Sequence, residues 1–369
     1  MSREFYLGDF SSEKLRTYDA DINPKMVLKA YDIFFALKAR RQVGSNKCYH
    51  YFDPEELWKH PDYTPFKEKY ARKPIEWKYN VIEAWTTFGL AGVKELHSNT
   101  VNLDLGRPRQ NSTLTIRNNY TGDLLGRVES TDISNARTAF PALRMMKLCF
   151  TGNRKIVIFM FGSGPVAEWN IRLLAERHAD KISSIIVCST KPDDGTEPSS
   201  SKLVKKLGSM PFDLTPVTDR TLLPNADFVI AATSAGTPLF SDEELAPNVK
   251  TLSLSGDEMP AAHIENALKN GHVVCDDVKS ASKRGGQSLQ LWFERQGKLL
   301  ANEAAEYGIK ELATMEPLKE NDGKPVHCTA VGLGSEDLVL GVLVLLFLSE
   351  KLGTERVTSI LMKGLGLTG

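Results

Sequence analysis

The residues best placed to do chemistry lie where runs of apolar, β-branched residues stop. Lys155–Phe161 (KIVIFMF) gives way to Gly162-Ser163-Gly164-Pro165-Val166-Ala167, and helical spacing follows in Trp169, Ile171, Leu173 and Leu174. A strand, a glycine turn and a helix start, in that order, aim unpaired N–H groups and a positive dipole end at an anion. The pyrophosphate of a dinucleotide is the anion such a turn accommodates. Other apolar runs also end in polar residues: Ile182–Ser189 at Ser189-Thr190-Lys191, Asp227–Ala232 at Thr233-Ser234-Ala235, and Val249–Leu254 at Ser255-Gly256-Asp257. His272–Cys275 ends in Asp276-Asp277. An acid at the end of the second strand would accept from a ribose 2′-hydroxyl. Here the hydroxyls of Ser189 and Thr190 and the ammonium of Lys191 precede the first carboxylate, Asp193. Those groups suit a 2′-phosphate, so the expected cofactor is NADP or NAD, with NADP favoured.

Strands alternating with helices predict a parallel, doubly wound sheet from about 154 to 325. Ahead of it, residues 24–41 have the spacing of a helix with basic residues at its end. The aromatic and charged stretch 46–90 shows no readable order. STLTIRNN from Ser112 and LLGRVES from Leu124 flank Tyr120-Thr121-Gly122-Asp123 and read as a hairpin. Thr131–Phe150 reads as one helix delivering the chain into the glycine strand, and Leu338–Leu348 as a helix buried all round at a subunit interface.

Composition narrows the partners. The 369 residues carry 46 basic and 46 acidic side chains, a formal net charge of zero, so no charge excess draws the chain to nucleic acid or an anionic membrane. The longest apolar run is shorter than a bilayer span of roughly 20 residues. Five separated cysteines without a CxxC pair, and an N-terminus without a signal pattern, fit a reducing cytoplasm. The seven histidines lack metal-ligand spacing, so no metal site is expected.

Six segments in sequence, GVKELHSNT (92–100), TGDLLGRVESTDISNARTAF (121–140), the glycine turn, ADFVIAATSAGTPLF (226–240), LSLSGDEMP (252–260) and AVGLGSED (330–337), carry a resemblance. The chain resembles the ornithine cyclodeaminase/μ-crystallin family. Within it, the chain is most similar to the branch acting on N-substituted amino acids, as in siderophore-pathway oxidation of N-(2-amino-2-carboxyethyl)-glutamate to 2,3-diaminopropionate. The resemblance implies an α/β fold of two domains. A Rossmann-type dinucleotide-binding domain (153–325) is inserted into an α+β substrate-binding and homodimerisation domain (1–152 with 326–369). It implies that Lys94 and Asp257 are catalytic, and that Lys94, Arg109 and Arg137 bind substrate. The cofactor falls to Arg137, Thr138, Gly162, Ser163, Gly164, Pro165, Val166, Ser189, Thr190, Lys191, Thr233, Ser234, Ser255, Gly332 and Asp337. In that scheme an acidic group near 257 and cations near 94 and 137 converge over the pyridine ring.

The implied activity is NAD(P)-dependent oxidation or reduction of the C–N bond of an amino acid or N-substituted amino acid. Asp257 takes the amine proton that would otherwise oppose hydride release. Alternatives are a cyclodeaminase that recycles its cofactor while releasing ammonia, and a crystallin-like protein that binds cofactor without turnover.

Overall fold

The computed structural model describes residues 5–71, 75–192, 195–320 and 322–367; Asp193 lies outside them. The chain divides into two compact units, Met1–Arg137 with Leu333–Gly369, and Thr138–Gly332. The boundaries expected near 152 and 326 therefore shift. The helix Phe140–Cys149 packs with the second unit, against the helix Pro165–His178.

The first unit is built on strands β1 (Asp9–Phe10), β2 (Val43–Tyr51), β3 (Trp77–Thr86), β4 (Leu90–Asn99), β5 (Gln110–Asn118) and β6 (Leu124–Glu129). They form a sheet in the order β1-β6-β5-β4-β3-β2, antiparallel except where β1 runs parallel to β6. The expected hairpin is β5–β6, with Gly122 at φ +76° in its turn. In the stretch 46–90, which could not be read, β2 and β3 pair antiparallel, and the described part of their connection joins a small aromatic core. There Leu57, Trp58 and Val101 are buried beneath Tyr63, Phe66, Tyr70, Ile75 and Trp77. Aromatic residues scattered in sequence give no period, which is why this core could not be read.

The apolar helix Gly334–Lys351 lies on this sheet, packed also by the helices Pro24–Ala39 and Glu355–Gly364. Its leucines and valines are buried by their own chain, so the expected subunit interface is not what covers them. Close approach requires small residues on the sheet. A Cβ on Gly92 of β4 would lie 2.9 Å from Leu338 Cδ1, a separation that side chains do not tolerate.

In the second unit eight strands form one parallel sheet: β7 (Ile156–Phe161), β8 (Ile182–Cys188), β9 (Asp213–Val217), β10 (Phe228–Ala231), β11 (Lys250–Ser253), β12 (His272–Cys275), β13 (Lys310–Glu311) and β14 (Val326–Thr329). Their order is β13-β12-β14-β11-β10-β7-β8-β9. The order reverses between β7 and β10, the switch point at which doubly wound sheets bind ligands. β14 was expected in the other domain. Its VHCT is fully buried between β11 and β12. β9 escaped the sequence reading because it is an edge strand carrying Pro216, which cannot donate to a ladder.

The helix expected over Thr131–Phe150 is two, Thr131–Arg137 and Phe140–Cys149. Pro141 explains the break: it has no N–H for the carbonyl of Arg137, and its ring clashes with that turn.

Candidate functional site

At the switch point, β7 ends in Phe161 and Gly162 follows at φ +101°. A Cβ there would meet the Ala232 backbone, 2.9 Å from its carbonyl carbon, so both conformation and space demand glycine. Gly164 is the N-cap of the helix Pro165–His178, with proline in its first turn, where the missing N–H costs nothing. Space beside Gly164 is open. A 14-residue helix thus presents its N-terminus at the carboxyl edge of the sheet, a cradle that fits a pyrophosphate.

The neighbouring strand ends are tied together by buried carboxylates. Glu258, fully buried, accepts from the Thr233 amide (2.9 Å) and hydroxyl (2.6 Å) through one oxygen. Its other oxygen accepts from the Ser253 hydroxyl and the Ser255 amide, both at 3.2 Å. Burial pushes the Glu258 carboxyl upward, and these four donors oppose the shift. Asp257 points elsewhere: its Oδ2 accepts from Arg295 Nη2 at 2.8 Å, while its buried Oδ1 has no partner among the described residues. Asp276 accepts from the amides of Val331 and Gly332 (2.8 Å each) and Asp277 (2.9 Å). Burial raises its carboxyl to about 6 against those bonds. Arg284 and Gln287 donate to the carbonyls of Val331 and Ala330, so the strand leading to Gly332 is held on both sides of its backbone.

Beyond β8, the Ser189 hydroxyl accepts from the Ser200 amide (3.0 Å) and contacts the Ser200 hydroxyl, which starts the helix Ser199–Leu207. Ser163 is likewise bonded to Ser199 at 2.6 Å. Ser189, expected to meet the cofactor, thus also braces the first turn of that helix. Thr190 and Lys191 remain exposed at the same edge, as does Ser234 beyond β10.

The second cluster lies within the first unit. Lys94 is on the inward face of β4, in phase with Leu90, Gly92 and Leu96, and its side chain is wholly buried. Its ammonium donates to Asp337 Oδ1 at 2.7 Å and to Ser134 Oγ at 3.1 Å. Arg137 donates from Nε to the same Asp337 oxygen at 3.2 Å, and pairs through Nη1 with Glu336 at 3.4 Å. The Thr131–Arg137 helix sets Ser134 and Arg137 one turn apart on one face. Glu336 and Asp337 are held by the first turn of the apolar helix, where Glu336 accepts from the Leu333 amide at 2.9 Å. Burial pulls the Lys94 ammonium down to about 8, with Asp337 and Glu336 opposing and Arg137 adding to the shift. Burial works to raise Asp337, but Arg137 and Lys94 overcome it and hold the carboxyl below its ordinary range. The second oxygen, Asp337 Oδ2, is buried with no hydrogen-bond partner among the described residues. Two cations and two carboxylates thus form a charge-balanced cluster in an apolar core.

Of the expected residues, Lys94, Arg137 and Asp337 come together. Arg109 does not join them; it pairs with Glu76 at 3.3 Å. Asp337, expected to serve the cofactor, is first of all the partner of Lys94. Glu258, Arg295, Glu336 and Ser134 were missed. Ser134 could have been found from its spacing three residues before Arg137. For Glu258 only its adjacency to Asp257 was available, and that does not tell which acid turns inward.

No protein-family model matches the sequence, and no curated protein matches it. Solved structures do match in fold. A Thermococcus litoralis Δ1-pyrroline-2-carboxylate reductase, in complex with NADH and L-proline, is similar over 94% of this chain and 98% of its own, at 16% identity and TM-score 0.71. The iminosuccinate reductase of Paracoccus denitrificans, in complex with NAD+, is similar over 94% and 97%, at 18% identity and TM-score 0.68. A probable ornithine cyclodeaminase from Bordetella pertussis is similar over 94% and 98%, at 16% identity and TM-score 0.68. At these identities the likeness is one of fold: two domains, one of them a Rossmann-type sheet.

Proposed function

We propose that the protein is an NAD(P)-dependent oxidoreductase acting on the C–N bond of an amino acid or N-substituted amino acid, within the ornithine cyclodeaminase/μ-crystallin family. The observation that carries this reading is the buried set of Lys94, Arg137 and Asp337 with its orphaned oxygen. A zwitterion matches it group for group. A substrate carboxylate is drawn to the Arg137 guanidinium, whose planar fork grips carboxylates at two points. A substrate N–H finds its acceptor in Asp337 Oδ2.

The second unit supplies the cofactor-binding groups: Gly162 to Val166, Thr233, Ser234, Ser255 and Gly332, with Thr138 at its start. Lys191, exposed at the end of β8, supports NADP. NAD is the other reading, since both compared reductases carry NADH or NAD+. The nicotinamide, when bound, supplies the hydride acceptor or donor. The protein's own residues handle the protons. Lys94, poised at about 8, exchanges a proton near neutral pH and orients the water that hydrolyses an imine. Asp257, at the carboxyl edge of the second unit's sheet, is the other residue proposed as catalytic.

The test is absorbance at 340 nm with NAD+ and NADP+ over a panel of amino acids and N-carboxyalkyl amino acids. The reverse direction uses the reduced cofactors with 2-oxo acids and amines. Silence in both directions across the panel overturns the reading. Because the fold likeness extends to a probable cyclodeaminase as fully as to the reductases, a second reading is a cyclodeaminase. Ammonia released from ornithine or lysine with no net change at 340 nm selects it. A homodimer is part of the proposal, and sedimentation as a monomer at micromolar concentration would remove it.

A further inference from the structure

A row of polar side chains crosses the core of the second unit where apolar contacts would be expected. Asp242 Oδ1 lies 3.1 Å from His263 Nδ1, and His263 Nε2 lies 2.9 Å from Thr251 Oγ1. Thr251 Oγ1 is 3.0 Å from His327 Nδ1, and His327 Nε2 is 2.9 Å from Thr329 Oγ1. Thr251 and His327 are register partners on β11 and β14, and Ser253 and Thr329 are the next pair on the same face. His263 reaches them from the helix Ala261–Asn270, which packs over β12 and β14. The four inner residues are at most 1% exposed, whereas the Asp242 side chain is 28% exposed.

The chemistry of the groups fixes the direction of every bond. An ionised carboxylate only accepts, so His263 donates from Nδ1 and its Nε2 must accept. Thr251 then donates to His263 and accepts from His327 Nδ1, and His327 Nε2 accepts from the Thr329 hydroxyl. The alternative acceptor for the Thr251 hydroxyl, the Val326 carbonyl, is farther at 3.3 Å. Burial pulls both imidazoles down, His327 to about 3 with help from His263, and Asp242 offsets part of the shift on His263. Neutral rings are what a one-way row requires. At its inner end Thr329 is the last residue of β14, at the carboxyl edge that also carries the glycine turn. Its register partner Ser253 donates to Glu258.

We propose that Asp242, His263, Thr251, His327 and Thr329 form a proton relay between the carboxyl edge of the nucleotide sheet and solvent. A proton arriving on Thr329 Oγ1 releases that hydroxyl's own proton to His327 Nε2. His327 gives up its Nδ1 proton to Thr251, Thr251 passes its hydroxyl proton to His263 Nε2, and His263 gives its Nδ1 proton to Asp242, which ionises into solvent. One proton enters and one leaves, each ring changes tautomer, and nothing is oxidised or reduced. The reverse passage restores the row. A use for it rests on the proposed function, in which oxidising an amine liberates a proton at this edge; the relay itself does not.

The test is nuclear magnetic resonance of the full-length, ¹⁵N-histidine-labelled protein at pH 7, with no substrate. The expected result is that His263 and His327 are neutral and protonated on Nδ1. The His327 ring proton should exchange with D2O at least tenfold more slowly in Thr251→Val and Asp242→Asn, with Thr251→Ser restoring the wild-type rate. His327 protonated on Nε2, or unchanged exchange in both broken variants, overturns the relay. Asp242→Asn is a surface change that serves if Thr251→Val does not fold. Since the assay needs no turnover, a relay that fails here and an enzyme that shows no activity are separate outcomes.

Discussion

Asp337→Asn should destabilise the first unit in a way that depends on pH and on Lys94. In the folded protein two buried cations face two carboxylates, and the substitution removes one of those two negative charges. Breaking a buried pair by removing one partner costs about 3–5 kcal/mol. The lower part of that range applies at pH 7, because Lys94 can escape by shedding a proton. With burial already drawing its ammonium down to about 8, discharge near neutral pH costs little. A loss of about 3 kcal/mol in a unit of this size is a fall in Tm of roughly 6–12 °C. Lys94 is depressed from 10.5 to about 8. The folded protein therefore binds fewer protons than the unfolded chain between those values, and its stability rises with pH across that window, by roughly 3 kcal/mol. Above pH 8 the wild type also loses the Lys94 charge, so the deficit of Asp337→Asn should shrink by pH 9.5. Lys94→Met with Asp337→Asn keeps the Arg137–Glu336 pair and fills the volume, and should recover most of the loss. Thermal unfolding by circular dichroism at pH 7 and 9.5 measures all three proteins. If the double variant is no more stable than Asp337→Asn, or the deficit is constant with pH, the cluster is not held by the charges assigned to it.

Three further outcomes are expected. Gly162→Ala, at φ +101° and against the Ala232 backbone, should cost on the order of 1–3 kcal/mol and abolish the fluorescence change on titrating NADH or NADPH. Binding at wild-type affinity would exclude the glycine turn as the pyrophosphate cradle. Glu258→Gln keeps one acceptor oxygen where two now receive four donors; the unsatisfied groups should lower stability by about 1–3 kcal/mol, read as a denaturant midpoint shift. An unchanged midpoint would show that the strand ends do not depend on that carboxylate. Lys191→Glu should raise the dissociation constant for NADPH at least tenfold more than that for NADH; equal effects would remove Lys191 as a 2′-phosphate ligand and leave NAD as the cofactor.

What could be read from the sequence was local, and what could not was distant. Gly162 announces itself because strand, turn and helix are consecutive. Lys94 was named only through the resemblance, and its strand, with Leu90, Gly92 and Leu96 on the inward face, was not read. Its partner is 243 residues away, and no period connects them. Asp257 and Glu258 are adjacent in one loop, yet one turns to Arg295 and the other to Thr233 and Ser255. That choice is made by tertiary packing. The relay shows the same limit: VHCT was placed with the other domain, and only the pairing of β14 with β11 sets His327 against Thr251.

The energetics of the Lys94 cluster bear on why it exists. Replacing a buried ion pair with apolar residues of similar volume is often neutral or stabilising. The surroundings here, leucines and valines of the helix Gly334–Lys351 on a closely packed sheet, would accept such residues readily. Burial depresses the Lys94 ammonium in spite of its neighbouring carboxylates, so stability does not account for the charges. They account instead for a readiness to exchange a proton near neutral pH and for an acceptor, Asp337 Oδ2, left without a donor. A group that costs stability and leaves a bond unmade is expected where a ligand completes it. On the proposed function, the cluster, more than the glycine turn, is the part of the protein that would select the substrate.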